Sequence, residues 1–426
     1  MKITLITVGS RGDIQPYVPL AMGFRDAGYD MTIATHEPYR EFVESHGIKF
    51  LPVAGDPQAM LAGESGIEWV ETQSNPLAAL SKMRDLVTPL VMEMAQSIIT
   101  AAEGADAILY STLGFLAAPS LIEKNKIPGM GVYLQPVNPT RDYPFFMLPR
   151  LPFDNSTINQ ASYTAINMLT GALFRSMVNR VRTELMDLAP YQENFNQFIQ
   201  RPYPIAYGYS PSVQAQPADW GKHLKVTGYW FLDEPYTPSP EFAAWLANGD
   251  KPIYVGFGSM TNRNPAEMTE IVLASVEQAG VRCVLLSGWA GIGNDSTSED
   301  VFVVDAIPHH WLFPQMQAVV HHGGAGTTAA GLRSGVPSIL IPHFVDQPYW
   351  AKRVETLGVG PAAIPRNHLS VDALTRAIRL AIYDRPMQGR AAEVGERIRA
   401  QDGIQQAIDF FENYVLKQDI STGVYH

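Results

Sequence analysis

Residues 321–337 read HHGGAGTTAAGLRSGVP. Small residues at this density let a ligand approach the backbone closely. Val319 and Val320 end a strand, Gly323 and Gly324 make the turn, and Thr327 and Thr328 open a helix. A strand, a glycine turn and a helix N-terminus form an anion site, because unpaired N–H groups and the positive dipole end face a phosphate. Neighbouring strand side chains point to opposite faces. His322, beside the turn, is therefore the candidate donor to the anion, and His321 the structural partner. Tight packing alone is the alternative reason for the glycines. Zinc is disfavoured, since adjacent histidines diverge and no third ligand stands at useful spacing.

Two further stretches repeat this logic. GFGSM (256–260) places Gly258 and Ser259 after another strand, where an N–H and a hydroxyl can reach the same anion. Asp346 and Gln347 set a carboxylate beside an amide, which suits the paired hydroxyls of a sugar. Near the N-terminus, GSRGD (9–13) puts Asp13 after the first strand as a candidate general base for an alcohol. An acid in a helix's first turn, favoured by the dipole, is the plainer reading. That dipole predicts a lowered pKa for Asp13.

The elements that must carry these residues alternate regularly. KITLITVG (2–9), DMTIATH (30–36) and IKFLPV (48–53) read as strands separated by helical stretches at 16–29 and 38–47, with DAILYST (106–112) and GMGVYLQP (129–136) continuing the pattern. It restarts with strands at 251–260, 281–289, 301–308, 318–324 and 337–344. Two doubly wound parallel α/β halves follow, joined by the Pro-, Gly- and aromatic-rich stretch 211–240. Residues 141–186 form an apolar, proline-broken and then helical segment. Phe145, Phe146 and Met147 there either pack a core or line an apolar cleft for a lipophilic ligand.

Composition limits the partners. The 426 residues carry a net charge of −11, which argues against nucleic acid. Cys283 is the only cysteine, so disulfides and Cys-based zinc sites are excluded and a reducing compartment is favoured. The sequence shows no signal peptide and no apolar run of transmembrane length, which predicts a cytoplasmic protein without an integral membrane segment. Oligomeric state is not legible.

The motifs GSRGDIQPYVPLA, ATHEPYREFVESHGIKFLPV and HHGGAGTTAAGLRSGVPSILIPHFVDQPYWAKRVETLGVG resemble the family 1 GT-B glycosyltransferases. They are most similar to the sterol glucosyltransferase branch and the neighbouring bacterial antibiotic glycosyltransferases. The resemblance runs from about residue 1 to 415. It implies a GT-B fold of two Rossmann-like doubly wound domains facing across a cleft. Residues 1–215 would bind the acceptor, 216–235 would link, 236–405 would bind the nucleotide sugar, and 406–426 would supply a helix crossing back and a tail. The implied reaction is inverting transfer of a hexose, glucose from UDP-glucose foremost, to a hydroxyl of a lipophilic molecule.

Carried over by position, Asp13 takes the place of the catalytic base. His322, Gly324, Gly326, Thr327 and Thr328 take the diphosphate, bordered by Gly258, Ser259 and Ser10. Asp346 and Gln347 take the sugar hydroxyls, and the nucleobase falls to DAIPHHW, with Ala306, Ile307 and His309. The plant branch's ribose-binding glutamate is Ala330 here, so UDP and dTDP both remain open. Its base-stacking tryptophan aligns near Ala306, and its histidine-orienting aspartate falls at Ser111-Thr112, consistent with Asp13 acting directly. The N-terminal membrane-binding regions of fungal and plant sterol enzymes have no counterpart in this sequence, which leaves acceptors other than sterols open. No Asp-x-Asp motif occurs, so no metal cofactor is expected. A sugar-nucleotide epimerase and a catalytically silent binding protein are the alternatives on the same fold.

Overall fold

The computed structural model describes residues 1–56, 81–82, 84–85, 88–148, 155–194, 197–198, 201–257, 265–287, 298–343 and 345–419. The chain divides into two compact units. One comprises Met1–Leu232 with the segment that opens at Asp402, and the other Asp233–Gln401.

Among the described residues the first unit holds seven strands: β1 (Lys2–Ile6), β2 (Asp30–His36), β3 (Lys49–Val53), β4 (Ala107–Tyr110), β5 (Gly129–Tyr133), β6 (Ile205–Tyr207) and β7 (Leu224–Val226). Their order is β3-β2-β1-β4-β5-β6-β7, and every pair is parallel. Helices cover both faces of such a sheet, so its central strands read as unbroken apolar runs. In β1 and β4 nearly every residue is buried. Strand order reverses between β1 and β4, and at such a switch point doubly wound sheets hold their ligand crevice, at the strands' C-terminal ends.

The second unit repeats the plan with β8 (Ile253–Gly256), β9 (Cys283–Leu286), β10 (Val301–Val304), β11 (Val319–His321) and β12 (Ser338–Leu340). The order is β10-β9-β8-β11-β12, again all parallel. Its switch point lies between β8 and β11, so the quoted glycine turn leaves the sheet where a ligand crevice belongs.

Several strands are shorter than the sequence predicts: β1 stops at Ile6, β10 at Val304 and β12 at Leu340. The chain leaves each sheet early to build a loop at its C-terminal edge. Residues 216–235, expected as a bare linker, contribute the edge strand β7. The aromatics there are packing residues: Trp220 stacks on Tyr207 at 4.8 Å, and Trp230 lies 5.8 Å from Tyr17 in the first core. The final helix Gly403–Asn413 is capped by the Asp402 side chain and belongs to the first unit. Its Phe411 meets Phe24 edge-on at 5.4 Å and Tyr29 at 5.8 Å, and the Trp230 indole donates to the carbonyl of Gly403. Among the described residues no helix is long and apolar enough to cross a membrane.

Candidate functional site

In the second unit, His321 closes β11 fully buried, and its Nδ1 accepts the N–H of Gly323 at 3.0 Å. Gly323 sits at φ +91°, a region that glycine enters without penalty. A Cβ there would also press on Leu340 and on the carbonyl of Gln347. The helix Ala325–Ser334 follows, with Gly324 at its N-cap and no side chain capping it. The Thr328 N–H bonds to the Gly324 carbonyl, so the N–H groups of Ala325, Gly326 and Thr327 precede the first intrahelical bond. Gly326 meets nothing within 4 Å where a Cβ would stand, whereas the Thr328 side chain is buried. Thr328 therefore contributes packing and backbone rather than an exposed hydroxyl.

The His322 ring lies over this helix start. A Cβ on Gly324 would fall 2.6 Å from His322 Nε2, so the imidazole occupies space that only glycine leaves. His322 Nδ1 is buried with no hydrogen-bond partner. Burial pulls the His322 pKa down to about 4, so near neutral pH the ring is a neutral donor. His343, which the sequence reading passed over, has both ring nitrogens buried and unpartnered. Its pKa falls to about 3 through burial, then through Arg366 and His322. A histidine three residues before the Asp346-Gln347 corner was the signal available.

That corner is tightly built. Val345 adopts φ +55°, a left-handed conformation that costs a non-glycine residue roughly 1–2 kcal/mol. Asp346 is only 9% exposed, and its Oδ2 accepts the Trp350 indole N–H at 3.0 Å. Gln347 Oε1 accepts the His343 N–H at 2.8 Å. Both side chains are thus fixed at the start of the helix Gln347–Leu357. Of the nucleobase candidates, Ala306 is exposed. Ile307 is buried among Tyr254, Val284 and Leu312, and the His309 ring stacks on Phe313 at 4.3 Å. Gly258 and Ser259 lie outside the described residues.

In the first unit, Asp13 sits in the helical turn Arg11–Ile14 that follows β1. Ser10 donates to Asp13 Oδ2 twice, from its N–H and from its hydroxyl, each at 2.9 Å. Both Ser10 donors, expected on a diphosphate, thus point at Asp13. Thr7 Oγ1 donates to the Asp13 carbonyl at 2.6 Å. Gly9, at φ +133°, leaves room for the carboxylate: a Cβ there would stand 2.6 Å from Asp13 Oδ2. The expected lowered pKa is corrected. Desolvation raises it, and the two Ser10 bonds offset this only in part. A four-residue turn has little dipole to oppose burial.

Phe145 and Phe146 are buried, with ring centroids 4.7 Å apart, and Phe145 packs edge-on against Tyr163 of the helix Ser156–Arg180. The Phe145 N–H donates to Ser162 Oγ at 2.8 Å. Of the two sequence readings, core packing describes these rings, and Met147 beside them is half-buried.

Residues 3–144 match the glycosyltransferase family 28 N-terminal domain, and 284–408 the erythromycin biosynthesis protein CIII-like C-terminal domain. A sterol 3-beta-glucosyltransferase of Arabidopsis thaliana is 34% identical over 99% of this chain and 67% of its own length. The chain is a family 1 GT-B glycosyltransferase. Another sterol 3-beta-glucosyltransferase, from Emericella nidulans, is 36% identical over 96% of this glycosyltransferase and 29% of its own length. The crystal structure of the glycotransferase of kitacinnamycin superposes with a TM-score of 0.72, covering 97% of this chain and 99% of that one at 19% identity. That likeness establishes the GT-B architecture of two parallel-sheet α/β domains.

Proposed function

We propose that this glycosyltransferase moves glucose from UDP-glucose to a hydroxyl of a lipophilic small molecule, of sterol or polyketide type, inverting the anomeric carbon. Likeness to sterol 3-beta-glucosyltransferases over nearly the whole chain supports the donor and acceptor classes. The observation that carries the chemistry is the Asp13 carboxylate. Both Ser10 bonds fall on Oδ2, so Oδ1 remains to take the acceptor's proton. Its raised pKa makes it a stronger base than an exposed aspartate. As that proton moves to Asp13, the alcohol oxygen bonds to the anomeric carbon and the bond to the diphosphate breaks. The charge released on the diphosphate falls to the N–H groups of helix Ala325–Ser334 and to neutral His322, with Asp346 and Gln347 on the sugar. These groups take the place of a metal ion. The single buried thiol, Cys283, accords with a reducing, cytoplasmic setting.

The test measures nucleoside diphosphate release from UDP-glucose and dTDP-glucose with sterols, polyketides and flavonoids, with products identified by mass spectrometry. Release that depends on an added alcohol and persists in excess EDTA is the expected result. Release indifferent to every alcohol argues against the acceptor class. Loss on chelation, restored by Mg²⁺ or Mn²⁺, argues against the metal-free site.

A further inference from the structure

His36 is the last residue of β2, only 3% exposed, and the mechanism above does not use it. Its Nε2 accepts the N–H of Gly9 at 3.2 Å. A ring nitrogen that accepts carries no proton, so the neutral ring holds its hydrogen on Nδ1. The carbonyls of Val53, Ala54 and Gly55 lie near enough to favour protonation, yet burial outweighs them and holds the pKa below the ordinary histidine range. No bond of good geometry reaches Nδ1. The ring is therefore sealed, neutral and committed to one task on the neighbouring loop.

That loop carries the base. Gly9 at φ +133° precedes Ser10, whose two donors both meet Asp13 Oδ2. The chain of contacts runs from His36 Nε2 to the Gly9 amide, through Ser10, to the carboxylate. Thr7 Oγ1, on the Asp13 carbonyl, holds the other end of the turn. We propose that His36 is a positioning residue for glycosyl transfer, fixing the Gly9–Ser10 loop so that Ser10 orients the Asp13 carboxylate. The inference rests on Asp13 being the base. His36 itself is not a second base, because the nitrogen that could take a proton is occupied by the Gly9 amide.

Misplacing a reacting group by about 1 Å costs up to roughly 100-fold in rate. The experiment compares His36→Phe, which fills the space without an acceptor, with His36→Gln, whose amide oxygen can accept the Gly9 N–H. Each is made in the wild-type and Asp13→Asn backgrounds. Turnover is read as UDP release from UDP-glucose with cholesterol, or with whichever panel alcohol reacts fastest, and UDP binding is measured alongside. His36→Phe should lower kcat roughly 10- to 100-fold with UDP affinity unchanged. His36→Gln should recover much of the loss, and neither should add to the loss in Asp13→Asn. A wild-type kcat in His36→Phe, a glutamine no better than phenylalanine, or an equal further loss in Asp13→Asn overturns the positioning role. Full kcat in Asp13→Asn overturns the base assignment, and the positioning role with it. Should His36→Phe not fold, ¹⁵N NMR of the wild-type imidazole decides: the Nδ1–H tautomer is expected, and a proton on Nε2 sinks the proposal.

Discussion

The two units solve the same local problem twice and use the result differently. Each has a glycine of positive φ just past a strand, Gly9 at +133° and Gly323 at +91°, and each glycine amide is held by a buried histidine. His36 Nε2 reaches Gly9 from the adjacent strand, while His321 Nδ1 reaches Gly323 from its own. The difference begins at the next residue. Ser10 turns its N–H and hydroxyl onto the Asp13 carboxylate of its own loop. Gly324 has no side chain to give, so the first N–H groups of the helix behind it are left without a side-chain cap. One turn supplies its own negative charge, and the other, in the proposed mechanism, receives one.

Asp13→Asn breaks the first turn alone. We expect kcat to fall about 10²–10⁴-fold, the usual worth of a general base, while UDP affinity, measured by calorimetry, stays the same. His322→Ala breaks the second. A preorganised donor to a developing anion is worth about 10²–10³-fold in kcat, and donor KM should rise as well. His321→Ala should lose far less kcat and show its cost as a lower Tm, since its buried ring supports the turn. Steady-state kinetics and melting curves on the two variants separate those roles.

Smaller effects sharpen the contrast. Gly9→Ala and Gly324→Ala each place a Cβ 2.6 Å from the functional group, Asp13 Oδ2 in one and His322 Nε2 in the other. We expect the first to reduce kcat and the second to raise donor KM, each by about tenfold, or about 1.4 kcal/mol. Only Gly9→Ala should also lower Tm appreciably, because Gly324 has a φ of −58° that any residue adopts. The smallest effect is on stability against pH. His322 and His343 have folded pKa values of about 4 and about 3, below the unfolded 6.5. The stability they contribute is complete above 6.5 and drains as pH falls toward those values. Asp13, raised, acts with the opposite sign and loses its contribution as pH climbs through its folded pKa. Tm should drop between about pH 7 and pH 5, and His322→Asn should flatten that slope.

Much of this was legible in the sequence because it is written in local signals. β-branched runs ending in glycine mark the strands, and a glycine turn marks where the helix Ala325–Ser334 starts, whatever the rest of the chain does. Burial is a tertiary property and left no such mark. The pKa of Asp13 was misjudged in sign because desolvation exceeds the dipole of a short turn. Trp220 and Trp230 looked like linker residues until their rings were seen packed on Tyr207 and beside Tyr17. His36 stands 27 residues from the amide it holds, so only the pairing of β1 with β2 brings them together.

The helix Gly403–Asn413 completes a core that opens with residue 3. Phe411 and Ile408 pack with Phe24, Leu20 and Ile33, while the whole second unit is encoded between the two halves of that core. During synthesis the second unit leaves the ribosome as an uninterrupted stretch and can fold on arrival. The first must wait, its apolar surface incomplete, until the last helix has been made. A premature stop at residue 402 would therefore leave the unit made last whole and the unit made first without its closing helix, and chaperone demand should fall on the older half of the chain.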